Sequence, residues 1–421
     1  MVVAYSSQTS QLLPTRRHPY HHLSFQTTTR TRSSMNQVTN KTRRDMMTGM
    51  LITAAATAVP SSSSSAIATT TATSTPPTTP PSPPTEIDAN GVTRLKLQEN
   101  GWSTWKWRGT HNINYITAGT SGPIVLLVHG FGASAYHWRY LIPELQKHCR
   151  VFAVDVLGFG WSDKAVVSYE GYQIWTEQIA DFIEQVIHHD DNSTKTSTST
   201  GSHKQKDKVV VVGNSMGGYA SLSVASARPD LVQSVVLLNA AGRFDDGVGQ
   251  EGEDEAAPAA DAAAAASQQS FLGQVTASMT TAVKRAVITA SFVFTKQPAR
   301  IKQVLRSVYV NDKNIDDDLV RSIMIPANSS PNCAEVFYRV ISARGTPLNR
   351  LLDRLEENKM PLLLLWGEKD PWCVPERATQ IQRYYPRAQR VDVACGHCPH
   401  DDRPELTLPP LLAWVQQENQ A

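Results

Sequence analysis

The chain has 421 residues, of which 41% are hydrophobic, enough for a large core, and its net charge of only +2 gives no basis for a nucleic-acid partner. That charge is uneven: residues 1–85 hold seven Lys/Arg against Asp45 alone, net +6, which leaves the remainder at −4. Five cysteines (Cys149, Cys333, Cys373, Cys395, Cys398) are too few and too scattered to read as a disulfide framework in so long a chain.

The first 45 residues are rich in Ser, Thr and Arg with one acid, the composition of an organellar transit peptide. Arg43-Arg44, the apolar run Met46–Val59 and Ala66-Ile67-Ala68 then read as a second, twin-arginine signal, so the leader is expected over residues 1–68. The competing reading is a single presequence ending near Arg44. Met46–Val59 is too short to cross a bilayer. Residues 69–85 form a Ser/Thr/Pro linker that cannot bury enough apolar surface to fold.

The folded region is expected from Glu86, with its core in residues 86–242 and 351–421. Trp102, Trp105 and Trp107 precede a strand at Asn112–Thr117 and read as packing residues. Ile124–Val128 is a buried strand that runs into His129-Gly130-Phe131-Gly132; His129 is expected to order that loop. Ala135–Cys149 is predicted as a helix and Val151–Asp155 as a strand. Trp175, Ile179, Phe182, Ile183 and Val186 recur at helical spacing, and residues 189–207 read as a polar surface loop.

Val209–Val212 form a β-branched strand followed by Gly213-Asn214-Ser215-Met216-Gly217-Gly218 and a helix over Met216–Ala227. This is the setting of a nucleophile elbow, in which a strained strand-to-helix turn lifts a serine hydroxyl above the sheet. Ser234–Asn239 is the next strand. His129, Ser215 and Asn239 all fall at carboxyl ends of predicted strands, where open α/β sheets place reactive groups.

Residues 243–350 break the alternation and are expected to form a cap. It starts with an acidic, Ala-rich stretch at residues 245–266, then has helical segments around Val287–Phe294, Ile301–Tyr309 and Ile315–Ile325. Such apolar helices either line a pocket for an apolar substrate, touch a membrane surface, or simply pack on the core. Pro361–Leu365 and Arg390–Ala394 are the last strands, and Pro404–Val415 the last helix.

An acid follows the first of these strands, Glu368 or Asp370, with Asp370 favoured because it lies deeper in the turn and precedes Pro371. Gly396-His397 follows the second; His400 is the competing histidine. Cys395-Gly-His-Cys398 matches a redox C-x-x-C only in its letters, and Asp401 and Asp402 are expected to cap the last helix or orient the histidine loop.

From Gly101 to about Gln416 the chain resembles the α/β-hydrolase superfamily. The runs Gly101-Trp102-Ser103-Thr104-Trp105, His137-Trp138-Arg139-Tyr140, Leu157–Lys164 and Gly396–Asp401 are similar to plant and algal plastid hydrolases, the group that includes pheophytinase and chlorophyll dephytylase. The resemblance implies a mainly parallel, doubly wound sheet with a helical cap inserted after the sixth strand. It also implies a triad of Ser215 as nucleophile, His397 as general base and Asp370 as its partner, with the Phe131 and Met216 amides as the oxyanion hole. A plastid location follows, in the thylakoid lumen or at the stroma and thylakoid surface. The sequence departs from the group at Asp402, where Glu is frequent, and in the acidic insertion.

The implied activity is hydrolysis of an ester with a bulky apolar part, of which the phytyl ester of a chlorophyll derivative is one candidate. Carbon–carbon bond hydrolases carry the same Gly-Asn-Ser-Met-Gly-Gly run, and a non-catalytic ligand-binding protein on the same fold is the other alternative. No metal-ligand cluster, phosphate-cradling loop or nucleotide motif is recognisable, so neither metal nor cofactor is expected. Peripheral membrane contact and oligomeric state stay open at this point.

Overall fold

The strands form where β-branched and leucine runs can be covered on both faces. In a computed structural model of the chain, residues 82–189, 207–245 and 281–420 are described. The expected leader, most of the 189–207 loop and nearly all of the acidic insertion lie outside them. A hairpin of β1 (Thr85–Ile87) and β2 (Thr93–Leu95) precedes the main sheet, which starts with β3 (Ser103–Trp107), β4 (His111–Ala118) and β5 (Ile124–Val128). Then come α1 (Ile142–Leu145), β6 (Arg150–Val154), α2 (Gln173–Phe182), β7 (Val209–Asn214), α3 (Met216–Ala227) and β8 (Val232–Leu238). The cap supplies α4 (Thr281–Thr295), α5 (Pro298–Val308), α6 (Asp317–Ala327) and α7 (Cys333–Ser342). The chain closes with α8 (Leu348–Glu357), β9 (Leu362–Gly367), α9 (Pro375–Tyr384), β10 (Gln389–Val393), α10 (Pro399–Asp402) and α11 (Pro404–Glu418).

The eight-stranded sheet has the order β10-β9-β8-β7-β5-β6-β4-β3 and is parallel except where β4 meets β3 and β6. The cap therefore follows the sixth strand of this sheet, as expected. Alternate residues of each central strand serve opposite faces. Leu126, Val128, Val209, Val211, Leu362 and Leu364 join one core cluster with residues of α2, α3 and α8. Val125, Leu127, Val210, Val212, Leu363 and Leu365 join the other with residues of α1 and α11.

Chain order reverses between β5 and β7, so a crevice opens above their carboxyl ends. Val128 pairs with Gly213 across them, which puts the loop after β5 beside the elbow after β7. Close approach at the elbow requires glycine: a Cβ on Gly217 would collide with the carbonyl oxygens of Val128 and His129. Gly217→Ala is expected to destabilise the protein by ~3 kcal/mol, because both obstacles are backbone and neither can step aside. Urea unfolding checks this.

The segment 135–149 departs from the predicted helix. It is a 3-10 turn at Ala135–Trp138 followed by the short α1. Pro143 has no N–H to offer the Arg139 carbonyl four residues back. That carbonyl instead accepts from Leu95 N at 2.9 Å, so a tertiary bond replaces the helical one.

Candidate active site

Ser215 joins β7 to α3 with φ 54° and ψ −121°, a conformation that disfavours any side chain bearing a Cβ. It is held there because Ser215 N donates to Leu238 O at 3.0 Å, while its carbonyl accepts from Tyr219 N and Ala241 N. The turn is thus over-determined from the neighbouring strand and from its own helix. Gly130 approaches so closely that a Cβ there would lie 3.1 Å from that of Ser215.

The histidine loop comes to the same place. His397 Nδ1 lies 2.7 Å from Asp370 Oδ2, and both side chains are buried. With Nδ1–H donating to the carboxylate, the ring presents Nε2 as its remaining nitrogen. The backbone of His397 is fixed on both sides: its N–H donates to Val308 O at 2.8 Å, and its carbonyl accepts from Asn214 Nδ2 at 2.9 Å. Asn214 is the residue immediately before Ser215, so one side chain ties the elbow to the histidine.

Asp370 also accepts from Asn239 Nδ2 at 2.6 Å and from Trp372 N at 2.8 Å. Burial pushes its carboxyl up, but the His397 charge and these three donors outweigh burial and hold it below the ordinary carboxylate value. A carboxyl depressed by folding adds stability above about pH 4, and that contribution fades as pH falls through the folded-state value. Asp370→Asn is therefore expected to lose stability near neutral pH and to show a flatter acid limb, measurable by urea unfolding at a series of pH values. Glu368, the competing acid, is exposed.

His400 is fully buried against Trp138, 4.1 Å between ring centroids, and neither of its nitrogens has a hydrogen-bond partner. Burial lowers its pKa well below the ordinary value. Its neighbours Asp401 and Asp402 do not cap α11. Asp402 accepts from Gly396 N at 2.7 Å and from the backbone of Val310 and Asn311, which orients the histidine loop and joins it to the cap. Asp401 accepts from Arg139 Nε at 2.7 Å and from Tyr309 Oη at 2.9 Å.

Arg139, wholly buried, also donates to Asp316 and to the Asn314 carbonyl. Burial opposes its charge, yet Asp401 and Asp316 hold its pKa well above the ordinary value. One cation thus links the turn after β5, the cap and the histidine loop.

Ser215 and His397 line a common cavity with about 190 Å³ into which the centre of a water molecule fits. Its wall is mostly apolar, from Phe131 and Phe159 of the core and Phe292, Ile301, Val304, Leu305, Ile323 and Phe337 of the cap. Phe131 faces this cavity, while Met216 lies in a narrow crevice behind it, shared with Gly130 and Phe131. As the first residue of α3, Met216 carries an amide with no acceptor inside its own helix.

His129 lies beneath: Nδ1–H donates to Gly130 O at 2.7 Å and Nε2 accepts from Val156 N at 3.1 Å, the pattern of a neutral ring ordering its loop. Among the described residues, Asp370, Cys373 and His397 offer three metal-ligand atoms within 4.8 Å. They fit a metal poorly, because Asp370 is already hydrogen-bonded to His397 and burial pushes the Cys373 thiol up. Cys395 and Cys398 are both free and buried, and burial raises both thiols, which counts against redox chemistry there.

A model of the alpha/beta hydrolase fold matches residues 123–404. The chain belongs to that family. This α/β hydrolase is 26% identical over 376 residues to the chloroplastic pheophytinase of Arabidopsis thaliana, covering 79% of this chain and 69% of that one. It is 36% identical over 131 residues to a 2-hydroxy-6-oxo-6-(2'-aminophenyl)hexa-2,4-dienoic acid hydrolase of Metapseudomonas resinovorans, 30% of this chain and only 39% of that enzyme. The fold is also that of an esterase from Thermogutta terrifontis, with TM-score 0.51, 21% identity and coverage of 77% and 99%.

Within this α/β hydrolase, sequence reasoning singled out Ser215, Asp370, His397, Phe131 and Met216, and missed the role of Asn239 and the buried Arg139. The signal for Asn239 was its position at a strand end. It adopts φ 46° and fixes Asp370 while accepting from Gly367 N. Arg139 gave no local signal, since each of its carboxylate partners lies more than 170 residues away.

Proposed function

We propose that this α/β hydrolase is a serine hydrolase that cleaves a carboxylic ester with a bulky apolar group. The observation that carries this reading is the apolar cavity shared by Ser215 and His397. Ser215 Oγ attacks the ester carbonyl as its proton passes to His397 Nε2. The Phe131 and Met216 amides stabilise the oxyanion, about 3 kcal/mol for one donor. His397 then protonates the departing alkoxide, which leaves an acyl-Ser215. Water attacks that ester with His397 again as base, and the carboxylic acid leaves as Ser215 regains its proton. Asp370 stabilises the transient imidazolium.

Likeness to pheophytinase supports the phytyl ester of a chlorophyll derivative as the substrate class and a plastid as the location, in line with the Arg- and Ser/Thr-rich leader. A second reading, carbon–carbon bond hydrolysis on the same triad, is favoured by the 36% identity to the dienoic acid hydrolase. Purified protein is to be offered pheophytin, chlorophyll, a chain-length series of simple esters and a 2-hydroxy-6-oxo-6-arylhexa-2,4-dienoic acid, with products identified by mass. Ester turnover rising with apolar bulk is expected. Turnover of the dienoic acid alone would favour the second reading, and no turnover of any would favour a ligand-binding protein.

A further inference from the structure

The helices at the cavity rim carry an unbalanced surface. Residues 281–311, which contain α4 and α5, have six Lys/Arg and no Asp or Glu. Arg285 pairs with Glu335 and Lys302 with Asp317, but Lys284, Lys296, Arg300 and Arg306 have no carboxylate partner among the described residues. Apolar residues stand among these cations: Val283 is 44% exposed, Val293 49% and Phe294 53%. α4 buries Phe292 against Phe337 and turns Phe294 outward, where Arg300 stacks over its ring at 4.3 Å. Thr295 and Lys296, at the turn between the two helices, line the cavity and are partly exposed.

Exposed aromatic and aliphatic side chains on the same two helices as cations that lack a carboxylate partner among the described residues match the interfacial layer of an anionic bilayer, which takes the apolar tips while its phosphates face the cations. We propose that the α4–α5 hairpin docks this protein on an anionic lipid bilayer and seats the cavity mouth against the lipid. The inference concerns binding and can be tested without turnover, so its failure and failure of the ester-hydrolase reading are distinguishable.

The experiment uses the full chain carrying Ser215→Ala and phosphatidylcholine vesicles with or without phosphatidylglycerol, read by co-sedimentation. Binding is expected only with phosphatidylglycerol and is expected to weaken with salt. The triple variant Lys284→Gln/Arg300→Gln/Arg306→Gln should bind on the order of a hundredfold more weakly, about fivefold per cation. Val293→Ser/Phe294→Ser should lose binding at the same charge. Unchanged circular dichroism and an unchanged urea-unfolding midpoint show that the variants fold. Equal binding by parent and variants would overturn the proposal. So would self-association removed by these substitutions without vesicle binding, which would assign the face to a second copy.

Discussion

Ser215→Ala is expected to lower kcat for ester hydrolysis by on the order of 10⁴–10⁶-fold while leaving substrate binding nearly intact. The expectation rests on geometry: the residue is held at positive φ by its N–H donating to Leu238 O and its carbonyl accepting from Tyr219 N and Ala241 N, and it lines an apolar cavity with His397, which is paired to Asp370. Strain of this kind costs about 1–3 kcal/mol and persists only where the surroundings impose it. Ser215→Gly, which accepts φ 54° without penalty, is therefore expected to be inactive but about 1 kcal/mol more stable than the parent. Paired kinetics and urea unfolding of the two variants separate chemistry from conformation, since a serine placed there only for packing would not give opposite signs for activity and stability.

Arg139→Met is expected to destabilise the protein by about 3–5 kcal/mol, although the residue makes no contact with Ser215 or His397 that is needed for chemistry. Its removal leaves Asp401 fully buried with Tyr309 as its remaining side-chain donor, and takes from Asp316 the cation it shares with Arg94. The loss reflects an uncompensated buried charge more than the worth of the ion pair, so Arg139→Met/Asp401→Asn should recover part of it. Urea unfolding of the two single variants and the double variant measures this. Because Asp401 sits next to Asp402, which holds Gly396 N, the single variants should also lose activity through a loosened histidine loop.

The central strands were legible because their chemistry is local. Val209–Val212 and Leu362–Leu365 are buried on both faces by their composition alone, and the glycines around Ser215 announce a turn that tolerates no Cβ. The candidate site residues were legible for the same reason, as Ser215, Asp370 and His397 each follow a readable strand.

What escaped were features made by distant partners. At the break in the predicted helix over 135–149 the Arg139 carbonyl that Pro143 cannot serve is taken by the distant Leu95, and the burial of Arg139 comes from carboxylates on the cap and on α10. Helix α7 of the cap and α8 after it went unread although Val336 and Val340, then Leu348, Leu351, Leu352 and Leu355, recur at helical spacing. Cavity shape depends on α4–α7, which is why the bond-breaking machinery was more readable than the substrate.

The most direct test of the account is the identity of the nucleophile. Treatment of the purified chain with an active-site fluorophosphonate, followed by peptide mass spectrometry, should place one adduct on the peptide that contains Ser215 and none on the Ser215→Ala protein. Equal labelling of both proteins, or an adduct on another residue of the parent, would contradict it.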